Sequence, residues 1–175
     1  MFKKIGIGLV VVILIFLGVV MIQPEDFKIS RSVMVAASPQ KVFDQVNNFH
    51  NWEAWSPWAK LDPNAKAEYQ GPSEGVGAIF RWSGNDQVGV GSNTIIESRP
   101  GELIKIKLEF LKPFEAISTA EFTFKPEGQQ TLVTWSMSGK NNFIGKAMGL
   151  LMNCDKMIGS QFEKGLADLK TIVEK

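Results

Sequence analysis

The longest apolar run of the chain stands near its beginning, from Ile5 to Ile22, and contains no charged residue. Lys3 and Lys4 precede this run, and Glu25 and Asp26 follow it. Eighteen helical residues at about 1.5 Å each are about 27 Å long, which is close to the hydrocarbon thickness of a bilayer. The pattern therefore predicts a transmembrane helix.

A cleaved secretory signal is the alternative interpretation of this run. Such a signal needs small residues at its cleavage site, and residues 20–24 offer none, so an uncleaved anchor is favoured. Basic residues stay on the cytoplasmic side of a membrane, so the two lysines predict a domain on the outer, periplasmic or extracellular, side. The chain then divides into a cytoplasmic N-terminus (1–4), a transmembrane anchor (5–22), a linker (23–26) and one domain (27–175).

The domain begins with a strand and two short helices. Residues 27–35 are rich in β-branched and apolar side chains, and the Ser-Pro pair at 38–39 is a typical helix start. The predicted elements are a strand over 27–35, helices over 40–46 and 49–54, and an ordered loop over 55–63 that carries Trp55 and Trp58.

From residue 65 onward the hydrophobic period changes to two, which is typical of strands. Six strands are predicted, over 67–70, 78–83, 88–98, 103–110, 116–125 and 131–140. The fourth of them shows the alternation clearly: Ile104, Ile106, Leu108 and Phe110 share one face, and Lys105, Lys107 and Glu109 share the other. One face of the sheet is therefore expected to be buried and the other to face water.

The last segment, from Phe143 to Val173, has apolar residues at helical spacing and predicts one long amphipathic helix. The stripe consists of Phe143, Ala147, Leu150, Leu151, Cys154, Ile158, Phe162, Leu166, Leu169 and Val173. We expect this helix to cover the apolar face of the sheet, with a bend near Gly159.

Charge and composition exclude several kinds of function. The chain has 19 Lys and Arg against 18 Asp and Glu, so no broad basic field predicts a nucleic-acid partner. One cysteine, Cys154, and one histidine, His50, exclude an intramolecular disulfide and a site with several imidazole ligands. No cofactor, metal or catalytic residue is therefore predicted.

The candidate reactive groups are few. His50 precedes Glu53 by three residues, so the two side chains could meet along one helical turn, although a solvated surface histidine is the simpler interpretation. Cys154 lies in the apolar stripe, where a buried, unreactive thiol is expected. Arg81, Glu97 and Asp155 could supply polar groups to a cavity, but alternation equally places Arg81 and Glu97 outside.

The order of elements resembles the START-related helix-grip superfamily, called SRPBCC, and in particular its polyketide cyclase/dehydrase-like members. The matching segments are 31–33 (RSV), 37–43 (ASPQKVF), 51–58 (NWEAWSPW), 75–78 (GVGA), 82–84 (WSG), 97–100 (ESRP) and 162–170 (FEKGLADLK). The resemblance implies an α+β fold: a curved antiparallel sheet of about seven strands wrapped on a long C-terminal helix, with two short helices after the first strand.

Members of this superfamily bind lipids, sterols, polyketides and other apolar molecules in a cavity between sheet and helix. The pocket candidates here are Trp55, Trp58, Trp82, Phe110, Phe122, Phe124, Trp135, Met137, Met148 and Met152, with Met157 beside them. Taken singly, each is more readily explained as ordinary core. As a group they indicate a pocket, and together with the N-terminal anchor they predict membrane-anchored binding of a hydrophobic small molecule or lipid.

Two other functions remain open. A polyketide cyclase/dehydrase-like enzyme would need an acid or base in the pocket, and no motif in the sequence supplies one. A protein-interaction module would have a collapsed cavity and an exposed aromatic patch around Trp52, Trp55 and Trp58.

Overall fold

The computed structural model describes residues 2–175, so Met1, part of the expected cytoplasmic N-terminus, lies outside the described residues. Helix α1 (Phe2–Met21) begins the chain. Its Lys4–Met21 window has a mean hydropathy of 2.8, which is long and apolar enough to cross a membrane, although an N-terminal signal sequence shares these properties. The predicted apolar N-terminal helix is thus present.

Seven strands form one antiparallel sheet. They are β1 (Asp26–Val35), β2 (Lys66–Gln70), β3 (Ile79–Ser83), β4 (Val90–Arg99), β5 (Leu103–Lys112), β6 (Ala116–Glu127) and β7 (Gln130–Lys140). Their order across the sheet is β1-β7-β6-β5-β4-β3-β2, so the first strand pairs with the last and the others follow as a meander.

Two short helices follow β1, as predicted. Ser38 caps α2 (Pro39–Asn47) by accepting a hydrogen bond from the Lys41 amide at 3.4 Å. The second, α3 (Trp52–Trp55), continues from a 3-10 turn. The predicted irregular loop over 55–63 is wrong in part, because Trp55 ends α3 and Pro57–Lys60 form another 3-10 turn.

The single C-terminal helix predicted over 143–173 is also wrong, because the structure has two helices there. Helix α4 (Phe143–Leu151) ends before Met152, and α5 (Cys154–Val173) starts after Asn153. The Asn153 side chain accepts a hydrogen bond from the Lys156 amide at 2.9 Å and so caps a new helix. The chain breaks at 152–153, whereas α5 continues through Gly159.

Helix α5 covers one face of the sheet, which we call the inner face, together with α2. Its buried side chains are Phe162, Leu166, Leu169 and Val173. The first half of the predicted stripe behaves differently, because no residue of α4 is buried, and Phe143, Leu150 and Leu151 are exposed instead of facing the sheet. Helix α4 packs mainly against α1. The fold is nevertheless the α+β helix-grip arrangement that the sequence predicts.

Candidate ligand-binding site

One row of large apolar side chains crosses three neighbouring strands of the inner face. Trp135 on β7, Phe122 on β6 and Ile104 on β5 are register partners, and all are buried. Phe122 and Trp135 stack at 4.8 Å between ring centroids. Phe162 of α5 stacks on Trp135 at 4.2 Å with an interplanar angle of 11°. Sheet and helix therefore meet here through directly stacked rings.

The tryptophans after α2 complete this cluster. Trp55 and Trp58 approach Trp135 edge-to-face at 5.7 and 5.5 Å, and Trp52 lies 4.8 Å from Trp55. The indole nitrogens of Trp55 and Trp135 are enclosed without a hydrogen-bond partner. Aromatic faces carry partial negative charge, so neighbouring rings are a better environment for these N–H groups than aliphatic side chains. We call this cluster and the row beneath it the packed half of the inner face.

Helix α5 comes close to the packed half because glycine stands where a side chain would interfere. A Cβ at Gly165 would lie 2.9 Å from Cζ3 of Trp135 and 3.0 Å from Cδ of Pro57. A Cβ at Gly159 would collide with the guanidinium of Arg31. These two positions bring the helix to van der Waals distance of the sheet, which leaves little room for a ligand between them.

Arg31 joins the edge strand β1 to the beginning of α5. Its Nη2 donates to Asp155 Oδ2 at 2.8 Å, and its Nε donates to Glu163 Oε1 at 2.8 Å. The Asp155 carbonyl accepts from Nη2 as well, at 3.1 Å. The hydrogen bonds and charge of Arg31 lower the pKa of Asp155, and the two carboxylates raise the pKa of Arg31. The first turns of α5 are therefore held in place over β1.

Beyond the packed half, towards the end of the sheet where β1 starts, the inner-face side chains become smaller on β6 and β7. The next row is Met137, Ala120, Ile106 and Ile95; the third is Gly139, Ser118, Leu108, Asn93 and Phe80; the fourth is Ala116, Phe110, Gly91 and Trp82. We call the third and fourth rows the open half. The ring of Phe27 on β1, the register partner of Gly139, lies over that glycine, and the ring of Trp82 lies over Gly91. Small residues on β6 and β7 therefore stand where rings stand in the packed half, and aromatic side chains of neighbouring strands cover them.

The open half presents apolar surface that is only partly covered. Trp82, Phe110 and Leu108 are half-buried, and the rings of Trp82 and Phe110 lie 5.9 Å apart, edge to face. Trp82 Nε1 donates to the Val88 carbonyl at 2.9 Å, which satisfies its polar atom and fixes the ring. Asn93 and Ser118 place buried polar side chains among these residues. A mostly apolar surface with a few polar groups has the composition of a small-molecule site.

Residues 26–174 match the family described as "Polyketide cyclase / dehydrase and lipid transport". The chain belongs to this family. No curated protein matches the chain. The family match supports a hydrophobic ligand-binding fold of the SRPBCC type.

Solved structures agree on the fold of this polyketide cyclase/dehydrase and lipid transport family member. Protein CV1439 from Chromobacterium violaceum is similar with a TM-score of 0.61 at 14% identity, over 87% of this chain and 99% of that chain. The Aha1 dimer from Colwellia psychrerythraea gives 0.59 at 16%, over 85% and 96%. The di-domain ARO/CYC BexL from the BE-7585A biosynthetic pathway gives 0.62 at 16%, over 90% and 53%.

The structure distributes the predicted pocket residues of this family member over three places. Trp55, Trp58, Phe122, Phe124, Trp135 and Met137 belong to the packed half or border it, Trp82 and Phe110 lie in the open half, and Met148 and Met152 lie on α4 and at its end. Met157, in the first turn of α5, is exposed. The predicted set is therefore not one continuous lining.

Several residues of the inner face were missed in the sequence. Ala120 and Ser118 alternate in phase with Phe122, so the period of two could have found them. Asn93 gave no such signal, because a polar residue in a strand is normally assigned to the wet face. The aromatic contacts of Phe162 with Trp135 depend on how α5 docks, which periodicity does not specify.

One candidate reactive group, His50, borders the open half, because it stacks on Tyr69, whose ring centroid lies 5.3 Å from that of Phe80 in the third row. His50 is exposed and stacks on Tyr69 at 4.0 Å; burial, and secondarily the charge of Glu53, raises the pKa of Tyr69. Arg81 is exposed on β3, opposite the inner-facing Trp82. Cys154 is half-buried at the first position of α5, so its expected full burial is wrong.

The remaining charged candidate, Glu97, pairs with Lys105 at 2.9 Å and Arg99 at 3.2 Å on the outer face, and these partners lower its pKa. Within residues 2–175, no group of three or more His, Cys, Asp or Glu side chains is placed to hold a metal ion. The exposed aromatic patch expected for an interaction module is not formed either, because Trp52 and Trp55 are buried.

Proposed function

We propose that this protein binds a hydrophobic small molecule or lipid on the open half of the inner face, while α1 anchors it in a membrane. In this arrangement the N-terminus is cytoplasmic and the domain at 27–175 lies on the outer side. The observation that supports the proposal is the change in side-chain size along the sheet. Trp135 and Phe122 fill the packed half, whereas Ala120 and Ser118, two and four residues before Phe122 on β6, are small, and the apolar rings of Trp82 and Phe110 beyond them are only half-buried.

The chemistry of the open half supports binding rather than turnover. Its named side chains are aromatic, aliphatic, amide or hydroxyl groups, and none of them is a carboxylate, imidazole or ammonium group. The apolar surface of Trp82, Phe110 and Leu108 suits an acyl chain or ring system. The Asn93 amide nitrogen and the Ser118 hydroxyl can each donate a hydrogen bond to a polar group of the ligand, such as an ester or carbonyl oxygen.

The test is lipid extraction and native mass spectrometry on the full chain, purified in mild detergent from a membrane-rich host. A co-purifying apolar species is expected in the wild type and in Thr119→Phe, which enlarges the outer face. It should be lost in Ser118→Phe, which enlarges the adjacent position on the inner face. Circular dichroism shows that each variant folds. An empty wild-type protein, or equal loss in both variants, contradicts the proposal.

A further inference from the structure

The end of the sheet at which β1 starts gathers several elements. Asp26, the first residue of β1, pairs with Lys140, the last residue of β7, so α4 departs from this end. The β5–β6 turn, residues 113–115, lies at the same end, because Gly139 pairs with Ser118 near the beginning of β6. Helix α1 therefore ends at the same end of the sheet as this turn, and it contacts α4 there.

This end of the molecule exposes an unusual number of large apolar side chains. They are Phe143, Ile144, Leu150, Leu151 and Met152 on α4 and at its end, and Leu111, Phe114 and Ile117 around the β5–β6 turn. We call these residues the apolar end surface. Leu151 is 73% exposed and Ile117 is 63% exposed. Soluble surfaces rarely carry so many neighbouring apolar side chains unless they contact a protein or a membrane.

Helix α4 is fixed to the region where α1 ends. Among the side chains from Lys4 to Met21, Val20 alone is buried, and α1 contacts α4. The Asn141 amide donates to the Glu25 carbonyl at 2.7 Å, and Lys146 Nζ lies 3.6 Å from Glu25 Oε1. Lys146 is the only charged residue of α4, and its side chain is only 13% exposed. The free surface of α4 is thus apolar.

We propose that the apolar end surface lies in the interface of the same lipid bilayer that α1 enters. The chain between Met21 and Asp26 spans at most about 17 Å even when extended, so the domain stays next to that bilayer. A short apolar helix fixed beside the end of a spanning helix is positioned at headgroup depth, where such helices bury their apolar face about 5–10 Å deep. Because α4 contacts α1, the apolar end surface continues the surface of the membrane anchor, and this favours lipid over a second copy of the chain as the partner of that surface.

The location of the open half gives this contact a consequence for binding. Its fourth row, which includes Phe110 and Trp82, is the one nearest the β5–β6 and β3–β4 turns. An open surface depression of about 460 Å³ also lies at the junction of α4 and α5, lined by residues 149–155. Contact of the apolar end surface with the bilayer would therefore turn the open half towards the lipid. This consequence rests on the proposed function, whereas the docking itself depends only on α1 being inserted.

The test measures the depth of single labels on the full chain in phosphatidylcholine–phosphatidylglycerol vesicles. In a Cys154→Ser background, an environment-sensitive fluorophore is attached at Leu151→Cys or Phe114→Cys. Val76→Cys is the matched control, because Val76 is 60% exposed and lies in the β2–β3 turn at the opposite end of the sheet. Ile13→Cys, within α1, reports insertion of the anchor. Lipids that carry a spin label near the headgroup act as quencher for positions 151, 114 and 76, and lipids that carry it near the end of an acyl chain act as quencher for position 13, which lies close to the middle of the span.

We expect quenching at positions 151 and 114 to be at least twice that at 76. If the label at position 13 is quenched but the labels at 151 and 114 are quenched no more than the label at 76, α1 is inserted and the proposed contact of the apolar end surface with lipid is wrong. Absence of quenching at 13 overturns both the insertion of α1 and this contact. Disulfide cross-links between copies of the unlabelled Leu151→Cys variant, with no lipid quenching of the labelled one, show a second copy as the occupant and contradict the proposal. The ligand extraction described above is performed in detergent, so its failure is distinguishable from each of these results.

Discussion

The guanidinium of Arg31 occupies the space in which the Cβ of any residue other than glycine would stand at position 159. Arg31 reaches across this position from β1 to Asp155 and Glu163 on either side of Gly159 along α5. A glycine inside a helix normally costs about 1 kcal/mol relative to alanine. Here the missing side chain permits the ion pairs that hold α5 on the sheet.

Gly159→Ala should therefore destabilise the protein, although alanine is the better helix former. The added methyl group must displace Arg31, and we expect a loss of about 1–3 kcal/mol in the free energy of unfolding, measured by denaturant in mild detergent. Gly149→Ala in α4 is the control, because its Cβ would have no neighbouring atom within 4 Å. That variant should be neutral or gain up to about 1 kcal/mol. Equal effects of the two substitutions would contradict this account.

Trp135→Ala should remove about 3–5 kcal/mol of stability, because it leaves a void between Phe122 and Phe162 that the packed rings cannot fill. Trp82→Ala should cost less than half as much, since the Trp82 ring is half-buried and contacts Phe110 at one edge. The comparison is made by thermal unfolding of both variants. If Trp82→Ala costs as much as Trp135→Ala, the division into a packed and an open half is wrong.

Acid should weaken the attachment of α5. Because the folded-state pKa of Asp155 is lowered from 3.8, its ion pair stabilises the fold above that value, and the stabilisation is lost as the pH falls through the depressed pKa. We expect Asp155→Asn to have a lower melting temperature than the wild type at pH 7. Between pH 4 and pH 2, the melting temperature of the variant should fall less than that of the wild type. Asp86→Asn, in the exposed β3–β4 turn, should leave both unchanged. If the melting temperature of Asp155→Asn falls between pH 4 and pH 2 as much as that of the wild type, the Arg31–Asp155 ion pair does not have this role.

The strands could be predicted well because alternation reports burial directly. The side chains of Ile104, Ile106 and Leu108 face inward as their period of two requires, and the charged residues between them face outward. The sequence also placed the two short helices correctly, since Ser38 and Pro39 are a helix start with a local physical cause. These features depend on neighbouring residues alone.

The C-terminal region could not be predicted in the same way. Apolar spacing continues from Leu150 to Cys154, so the pattern hides the break that Asn153 creates by capping α5. Periodicity shows that Phe143 and Leu151 prefer an apolar environment, but it does not distinguish a sheet from a lipid phase. The role of Gly159 was equally hidden, because its partner Arg31 is distant in sequence.

The most direct test of the central claim locates the ligand. The full chain in lipid nanodiscs is treated with a lipid that carries a photoactivatable diazirine on its acyl chain, and cross-linked peptides are identified by mass spectrometry. Beyond the α1 peptide expected from anchoring, we predict modification of inner-face positions Trp82, Leu108 and Phe110, reduced in Ser118→Phe and retained in Thr119→Phe. Modification confined to α1, or found instead around Trp135 in the packed half, would contradict binding on the open half.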